Sequence, residues 1–235
     1  MKRYSSKQIL RTLKKYDLKE STLSVADRVV LSIAEVEDAY ALLDDLIEQE
    51  ERMQRIARFP YWAEVWPASL ALARWFCQKE ISPPNSWTLE LGCGLGLVGI
   101  VLAHLGWRIE ATDYVEDALI FAAFNAQKNG LASRHRVAYL DWSNPVGQPV
   151  DCMVGSDVVY EKKNHPYLNR VLRRLLLPGG RFFLSDPQRK PAQQFCQLLA
   201  REGYNHQVEA LGVKWKSLEH TVDIHCFTKP LIKIP

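Results

Sequence analysis

A glycine-rich segment at residues 89–96 constrains the fold of this chain more than any other feature. Its sequence is LELGCGLG, with an apolar run before it and a helical pattern after it. Glycine tolerates the left-handed backbone of a tight turn and lets a ligand approach the main chain closely. The segment therefore predicts a strand, a ligand-binding turn and a helix, as at the start of a parallel α/β sheet.

After Pro60 the chain alternates short β-rich runs with helical patterns. Strands are predicted at 87–91, 108–112, 136–140, 151–155 and 181–185, and helices at 97–105, 116–128, 165–176 and 191–202. Two further runs, 207–211 and 221–228, are expected to form a closing hairpin. Because parallel strands need crossover helices, this alternation predicts an α/β fold with a mostly parallel sheet flanked by helices.

Residues 1–58 differ from the rest, since they are rich in charge and contain neither glycine nor proline. Apolar residues near their end recur at spacings of four, three and four, which predicts one face of a helix running to about Arg58. These residues are Val36, Tyr40, Leu43 and Ile47. We therefore predict an N-terminal helical extension at 1–58 and a larger domain at 59–235. The extension is either an appendage docked on that domain or a lid over its substrate, and the sequence does not decide between them.

The charge balance and the cysteine pattern exclude several classes of partner. The 30 Lys and Arg residues against 27 Asp and Glu residues leave a net charge of only +3, without the clustered basic residues that nucleic-acid binding needs. The five cysteines form no CxxC pair, which predicts no metal site and indicates free thiols in a reducing compartment. No apolar run reaches the ~20 residues of a membrane span, so a soluble, cytoplasmic protein with no membrane partner is expected.

The glycine loop alone fits two kinds of ligand. Residues 94–99 match the dinucleotide fingerprint, and Asp113 follows the next predicted strand, where a ribose-binding acid is expected. A nicotinamide dinucleotide and S-adenosylmethionine therefore both satisfy the motif.

Acidic residues at the predicted strand ends favour S-adenosylmethionine. Glu90 lies at the end of the first strand, where a carboxylate attracts the ammonium group of this cofactor and would repel a pyrophosphate. Asp141 and Trp142 offer an acceptor for the adenine amino group beside an aromatic face. Asp157 adds a third acid at the carboxyl edge of the sheet, where open α/β sheets bind ligands.

Each of these residues also has a purely structural interpretation. The glycines could form a turn without a ligand, Asp113 could cap the following helix, and Asp141 could hold a turn. Trp66 and Trp142 could lie in the core, as most tryptophans do.

Several motifs together give the chain a resemblance to a known family. They are the glycine loop at 90–96, Asp113, Asp141-Trp142 and the DxxY motif at 157–160. On these residues the chain resembles the class I, seven-β-strand methyltransferases, and it looks closest to family 16, which includes protein-lysine methyltransferases. An aromatic-Trp-Pro element at 60–67 is also typical of that family. The run 184–189 is similar to an Asp-Pro-x-x-Arg stretch of the electron transfer flavoprotein β-subunit lysine methyltransferase group.

The resemblance implies a fold, a cofactor and a site. The fold is Rossmann-like, with seven strands in the order 3-2-1-4-5-7-6 and the last antiparallel, and the cofactor is S-adenosyl-L-methionine. Implied cofactor contacts are Trp66, Glu90, Gly92, Asp113 and Trp142, to which the motifs add Cys93, Gly94, Gly96, Tyr114, Asp141 and Ser156. The candidate catalytic residues are Asp157 and Tyr160.

The implied reaction is methyl transfer to an amine. It is an in-line displacement that needs alignment rather than a metal or a covalent nucleophile. A lysine acceptor must also lose a proton, which costs about 4–5 kcal/mol at pH 7 for a pKa near 10.4. We expect Asp157 and Tyr160 to orient the amine and to receive or relay its proton, and Tyr61 and Trp62 to form an aromatic wall.

Methylation of a protein lysine is the predicted function. The alternatives are a small-molecule N-methyltransferase, a NAD-linked oxidoreductase and a non-catalytic binding module. The sequence names neither the acceptor, nor the number of methyl groups added, nor the oligomeric state.

Overall fold

A computed structural model describes residues 4–27, 29–52, 54, 59–79 and 81–231. The strands are β1 Leu18–Ala26, β2 Val29–Val36, β3 Thr88–Leu91, β4 Ile109–Asp113, β5 His135–Tyr139, β6 Val150–Ser156, β7 Leu176–Asp186, β8 Asn205–Trp215 and β9 Leu218–Thr228. The helices are α1 Ser6–Leu13, α2 Ala39–Arg52, α3 Pro67–Gln78, α4 Leu97–His104, α5 Glu116–Lys128, α6 His165–Leu175 and α7 Lys190–Arg201. None of the helices within these ranges is both long and apolar enough to cross a membrane.

Seven of the strands form one sheet in the order β5-β4-β3-β6-β7-β9-β8. When the strands of this sheet are numbered along the chain with β3 as strand 1, the order is 3-2-1-4-5-7-6. The neighbouring strands β5, β4, β3, β6 and β7 are parallel, and β9 is antiparallel to both of its neighbours. The implied topology and the Rossmann-like fold class are confirmed. The carboxyl end of β3 lies where the strand order reverses, which is where sheets of this kind bind ligands.

Two apolar cores cover the two faces of the sheet. One contains buried residues of α3, α4 and α5, and the other contains those of α6 and α7. Consecutive residues of β6 show the division, because Met153 packs into the second core and Val154 into the first. This follows from the alternation of side chains along a strand.

The N-terminal segment is not wholly helical, which corrects the predicted helical extension. Helices form at α1 and α2, but the strands β1 and β2 between them form an antiparallel hairpin. Side chains at the start of β2 alternate between buried and exposed, the period of a strand, whereas the prediction extended the helical spacing found near Tyr40 over the whole segment. The described helix α2 ends at Arg52. The predicted helix end and domain boundary at Arg58 lie outside the described residues.

Two asparagines of α5 attach this hairpin to the sheet domain. Asn125 accepts a hydrogen bond from the Ala34 N–H at 2.8 Å and donates to the carbonyls of Ala34 and Leu95, both at 3.1 Å. One turn later, Asn129 accepts from the Ser32 N–H and donates to the Ser32 carbonyl. Because the side-chain amides pair with main-chain groups of β2, the hairpin is docked on α5 and shares its apolar core.

Candidate functional site

A cleft of about 840 Å³ opens at the carboxyl end of β3. Residues from the 59–69 segment, the glycine loop and the ends of β4, β5 and β6 line it. All of the predicted cofactor and catalytic residues lie along this cleft except Gly96. A Cβ atom on Gly96 would lie 2.9 Å from the Ala122 Cβ, so this glycine permits the close packing of α4 against α5. Gly96 is not among the residues that line the cleft, and its predicted cofactor contact stays a prediction.

The glycine loop is held in place by Asp113 at the end of β4. Gly94 has a φ of +50°, and its N–H donates to Asp113 Oδ2 at 3.1 Å. Asp113 Oδ1 accepts from the Val115 N–H at 3.0 Å, and burial raises the pKa of this carboxyl. The N-cap of α5 is Val115, so Asp113 precedes the cap and supports the loop instead.

Glu90 carries the most deeply buried carboxyl group of the cleft. Its side chain is 3% exposed, and Oε1 accepts from the Gly99 N–H at 3.2 Å, in the first turn of α4. The other oxygen, Oε2, has no partner among the described residues, and burial raises the pKa of Glu90 to about 8. A Cβ on Gly99 would lie 2.3 Å from Oε2 and 3.0 Å from His135 Nε2. The absent side chain of Gly99 therefore makes room for the carboxyl group.

The ends of β4, β5 and β6 supply further cleft residues. Asp141 accepts from the Ser143 N–H at 2.8 Å, and its hydrogen bonds with Ser143 lower the pKa of Asp141, so it holds a turn as well as lining the cleft. The ring of Trp142 packs beside Gly92, with 3.7 Å between its Cζ2 and a Cβ built there. Tyr114 is exposed at the rim, and the thiol of Cys93 is buried.

Five rings from distant parts of the chain form an aromatic cluster at the cleft: Tyr40, Phe59, Tyr61, Trp66 and Tyr160. Tyr61 lies at its centre, with ring centroids 4.9 Å from Phe59, 5.8 Å from Trp66 and 4.9 Å from Tyr160. Tyr40, on α2, contacts Phe59 at 5.1 Å. The N-terminal segment thus contributes a ring beside the cleft, which its helical spacing alone did not indicate.

Only one residue of the predicted aromatic wall faces the DxxY motif. Tyr61 contacts Tyr160, whereas the ring of Trp62 packs 5.6 Å from Tyr16 and 5.2 Å from Phe121. Trp62 therefore joins the cleft lining to the core below it.

An ion pair joins the DxxY motif to the run at 184–189. Asp157 has a φ of +51°, and its carboxylate accepts two hydrogen bonds from the Arg189 guanidinium, at 3.0 and 2.9 Å. The Arg189 N–H in turn donates to Asp186 Oδ1 at 2.5 Å. Strands β6 and β7 end side by side, since Ser156 pairs with Ser185, and this register brings the two motifs together. Arg189 is not among the predicted site residues, although it belongs to the run at 184–189 that resembles a family motif.

Comparisons with known proteins show what this chain is similar to. A family model described as Lysine methyltransferase matches residues 38–202. EEF1A lysine methyltransferase 3 of Xenopus tropicalis is 32% identical over 136 residues, which are 54% of this chain and 58% of that protein. Histone-arginine methyltransferase METTL23 of Mus musculus is 26% identical over 189 residues, 77% of this chain and 67% of that protein. The chain spans little more than half the length of the lysine methyltransferases it matches.

A solved structure supports the fold. The SAM-dependent O-methyltransferase TM0748 of Thermotoga maritima aligns with a TM-score of 0.56 at 16% identity, over 92% of this chain and 79% of that one. At this identity the likeness shows the fold alone.

Proposed function

This chain belongs to the Lysine methyltransferase family, and on that premise we propose that it is an S-adenosylmethionine-dependent methyltransferase acting on a protein lysine side chain. One observation carries the proposal. A single cleft contains the glycine loop with its two buried acids, Glu90 and Asp113, together with Asp157, Tyr160 and Tyr61. In this proposal the glycine loop and its acids bind the cofactor and the remaining three residues face the acceptor, so that both molecules share one cavity, as transfer between them requires.

The residues around the glycine loop fit this cofactor. Glu90 Oε2 is a buried acceptor without a partner among the described residues, and an ammonium group would supply the missing donor. We expect Asp113 to accept hydrogen bonds from ribose hydroxyls, and Trp142 offers a ring face beside Gly92. Two buried carboxyl groups beside the loop disfavour a pyrophosphate, which argues against NAD. Trp66, Cys93, Tyr114, Asp141 and Ser156 complete the proposed cofactor set.

Chemically, S-adenosylmethionine supplies a methyl group that its sulfonium already activates. The protein has to deprotonate the ammonium group of the acceptor and to align the resulting neutral amine with the methyl group. The aromatic cluster favours a neutral lysine amine because apolar surroundings lower an amine pKa. The same rings attract the methylated ammonium product.

Arg189 narrows the role that Asp157 can have in this reaction. The Arg189 guanidinium binds both carboxylate oxygens of Asp157 and fixes the orientation of this side chain, whose remaining lone pairs can accept further hydrogen bonds. We therefore propose that Asp157 accepts a hydrogen bond from the amine and orients it. Burial raises the pKa of Tyr160, so its hydroxyl stays protonated near pH 7 and can relay the amine proton towards solvent.

Two further statements belong to the proposal. The arginine methyltransferase among the relatives makes a guanidinium the second candidate acceptor. We place the reaction in the cytoplasm, because all five cysteines are free thiols, as is usual in a reducing compartment. The net charge of +3 supports a protein partner rather than a nucleic acid.

The cofactor is tested by calorimetric titration of the protein with S-adenosylmethionine, its demethylated product and NAD. We expect both sulfur compounds to bind and NAD to give no heat of binding. Tight binding of NAD without a response to either sulfur compound would refute the cofactor assignment.

The acceptor is tested with methyl-labelled cofactor and a cell lysate. Label should enter protein, and acid hydrolysis should release methylated lysine. Label in methylated arginine would identify the second candidate, and label confined to the small-molecule fraction would refute a protein acceptor. The Asp157→Ala variant is the control for background labelling.

A further inference from the structure

Three side chains with metal-binding atoms meet on the far side of β7 from the glycine loop. Cys196 lies on α7, His206 on β8 and His225 on β9, and one ligand atom from each lies within 4.8 Å of the other two. None of them lines the cleft. We propose that Cys196, His206 and His225 form a site for one zinc ion, separate from the proposed methyltransferase site and independent of it.

The distances are close to those of a zinc site before the metal enters. Bonds of about 2.0 Å to nitrogen and about 2.3 Å to sulfur place tetrahedral ligand atoms roughly 3.3–3.6 Å apart. His206 Nε2 lies 3.0 Å from His225 Nδ1, and Cys196 Sγ lies 3.8 Å from the same Nδ1. Small side-chain rotations therefore suffice to bring all three atoms to one ion.

The sheet register explains why the two histidines meet. His206 pairs with Phe227 across the β8–β9 ladder, and His225 lies two residues before Phe227, on the same face. The ring of His206 stacks on Phe227 at 4.3 Å, which restrains its orientation. Cys196, on α7, approaches this face and brings the third ligand atom.

Burial and charge favour a cation at this position. Cys196 and His225 are both 8% exposed, while His206 is partly exposed and leaves access for a water molecule as fourth ligand. The carboxyl groups of Asp186 and Asp223 lie close enough to act electrostatically on Cys196, and their negative field attracts a metal ion. Zinc binding releases the thiol proton to solvent and leaves a thiolate ligand.

Such an ion would fasten α7 to the end of the sheet. Cys196 follows Arg189 by seven residues, about 10 Å along a helix, and Arg189 is the partner of Asp157. The ion is therefore expected to stabilise the fold and the position of α7, with no part in the methyl transfer itself. The sequence predicts no metal site because the cysteines form no CxxC pair. Such spacing motifs detect only ligands that are close in sequence, whereas these three residues lie on separate elements.

Zinc itself is the probe. The full chain is freed of metal with a chelator and titrated with Zn²⁺ against a chromophoric competitor. We expect one zinc ion per chain. Cys196→Ser and His225→Asn should each weaken binding by more than the roughly 10–100-fold that follows loss of an outer-shell partner.

Matched control variants come from β9, the strand that contains His225. Cys226 and His220 lie on β9 but on its opposite face, so Cys226→Ser and His220→Asn should leave zinc affinity unchanged. Failure to bind one zinc ion, or equal losses in control and ligand variants, would overturn the proposal.

A measurement on the unaltered protein covers the case in which a ligand variant does not fold. X-ray absorption at the zinc edge should show one sulfur at about 2.3 Å and nitrogen ligands at about 2.0 Å. A shell of oxygen and nitrogen without sulfur would exclude Cys196 and overturn the site.

Discussion

The glycine loop and the aromatic cluster line one cleft but are held in different ways. Main-chain hydrogen bonds fix the loop: the Cys93 N–H donates to the Thr112 carbonyl at 2.9 Å, and the Gly96 N–H donates to the Cys93 carbonyl at 2.8 Å. Side-chain contacts hold the cluster, where rings from Tyr40 to Tyr160 touch at their edges and faces.

This difference indicates which step each region controls. A loop of main-chain hydrogen bonds and left-handed glycines has one conformation, so a substitution there should abolish binding outright. Side chains that meet through ring contacts and one ion pair can adjust, so changes there should reduce turnover by graded amounts. Three substitutions test this distinction between cofactor binding and turnover, and a fourth tests the buried carboxyl group beside the loop.

The largest effect is expected for Gly94→Val. A β-branched residue is strained at a φ of +50°, and its side chain would approach the Trp62 backbone, 3.5 Å from the Cβ position. Calorimetry should show that affinity for S-adenosylhomocysteine falls by more than about 100-fold, as expected for loss of an interaction of roughly 3 kcal/mol.

Gly130→Val is the matched control for backbone strain. Gly130 has a φ of +72°, and its Cβ would meet nothing within 4 Å. This variant should lose about 1–2 kcal/mol of stability and keep its affinity for the cofactor. Unchanged affinity in Gly94→Val would mean that the loop is only a turn.

Asp157→Ala should lower kcat by about 100-fold and change cofactor affinity little. The variant removes the proposed acceptor for the amine and leaves the Arg189 guanidinium without the carboxylate of Asp157. Single-turnover kinetics and calorimetry separate the two quantities. Asp151→Asn, at the opposite end of β6, is the control and should keep full activity. If cofactor affinity collapses instead, Asp157 belongs to the cofactor half of the cleft.

Glu90→Gln should change the pH dependence of stability. Burial raises the pKa of Glu90 from 4.5 to about 8, so between these values the folded protein keeps a proton that the unfolded chain has lost. The contribution of the Glu90 proton to the free energy of unfolding is present in full below pH 4.5, the pKa in the unfolded chain. It is lost at about 1.4 kcal/mol per pH unit as the pH rises towards 8, the pKa in the folded protein.

Urea unfolding of the cofactor-free proteins at several pH values between 5 and 8 tests this expectation. The wild type should lose stability relative to Glu90→Gln as the pH rises. The lowered pKa of His135 acts in both proteins and cancels in the difference. Parallel curves for the two proteins would show that Glu90 ionises normally.

The smallest effect is expected for Tyr160→Phe. The variant keeps the ring contact with Tyr61 and removes only the hydroxyl that we propose as the proton relay. A reduction of kcat of about tenfold, without a change in cofactor affinity, is expected because solvent can replace a single relay group in part. Normal turnover in both this variant and Asp157→Ala would refute the role of the DxxY motif and make Asp186 the next candidate.

The prediction from sequence was accurate where a segment had one clear period and failed where patterns were mixed. The predicted ends of helix α5 agree with the observed ones. Strand β7 begins five residues before the predicted residue 181. The prediction starts too late because Pro178 and the glycines after it are typical of a turn. Helix α3 was missed because buried residues occur almost all around it, and no apolar stripe distinguishes it.

The sequence by itself determined the sheet, the glycine loop and the acids at the strand ends. These features depend on residues that are neighbours in the chain, since strand period, turn conformation and main-chain hydrogen bonds act over short distances. Only the tertiary structure decided the pair of Asp157 with Arg189, the aromatic cluster, and the group of Cys196, His206 and His225. The members of each group lie far apart in sequence. The ion pair forms because β6 and β7 are neighbours in the sheet, the group of Cys196, His206 and His225 because α7 contacts the paired strands β8 and β9, and the aromatic cluster because α2 and residues 59–66 lie beside Tyr160.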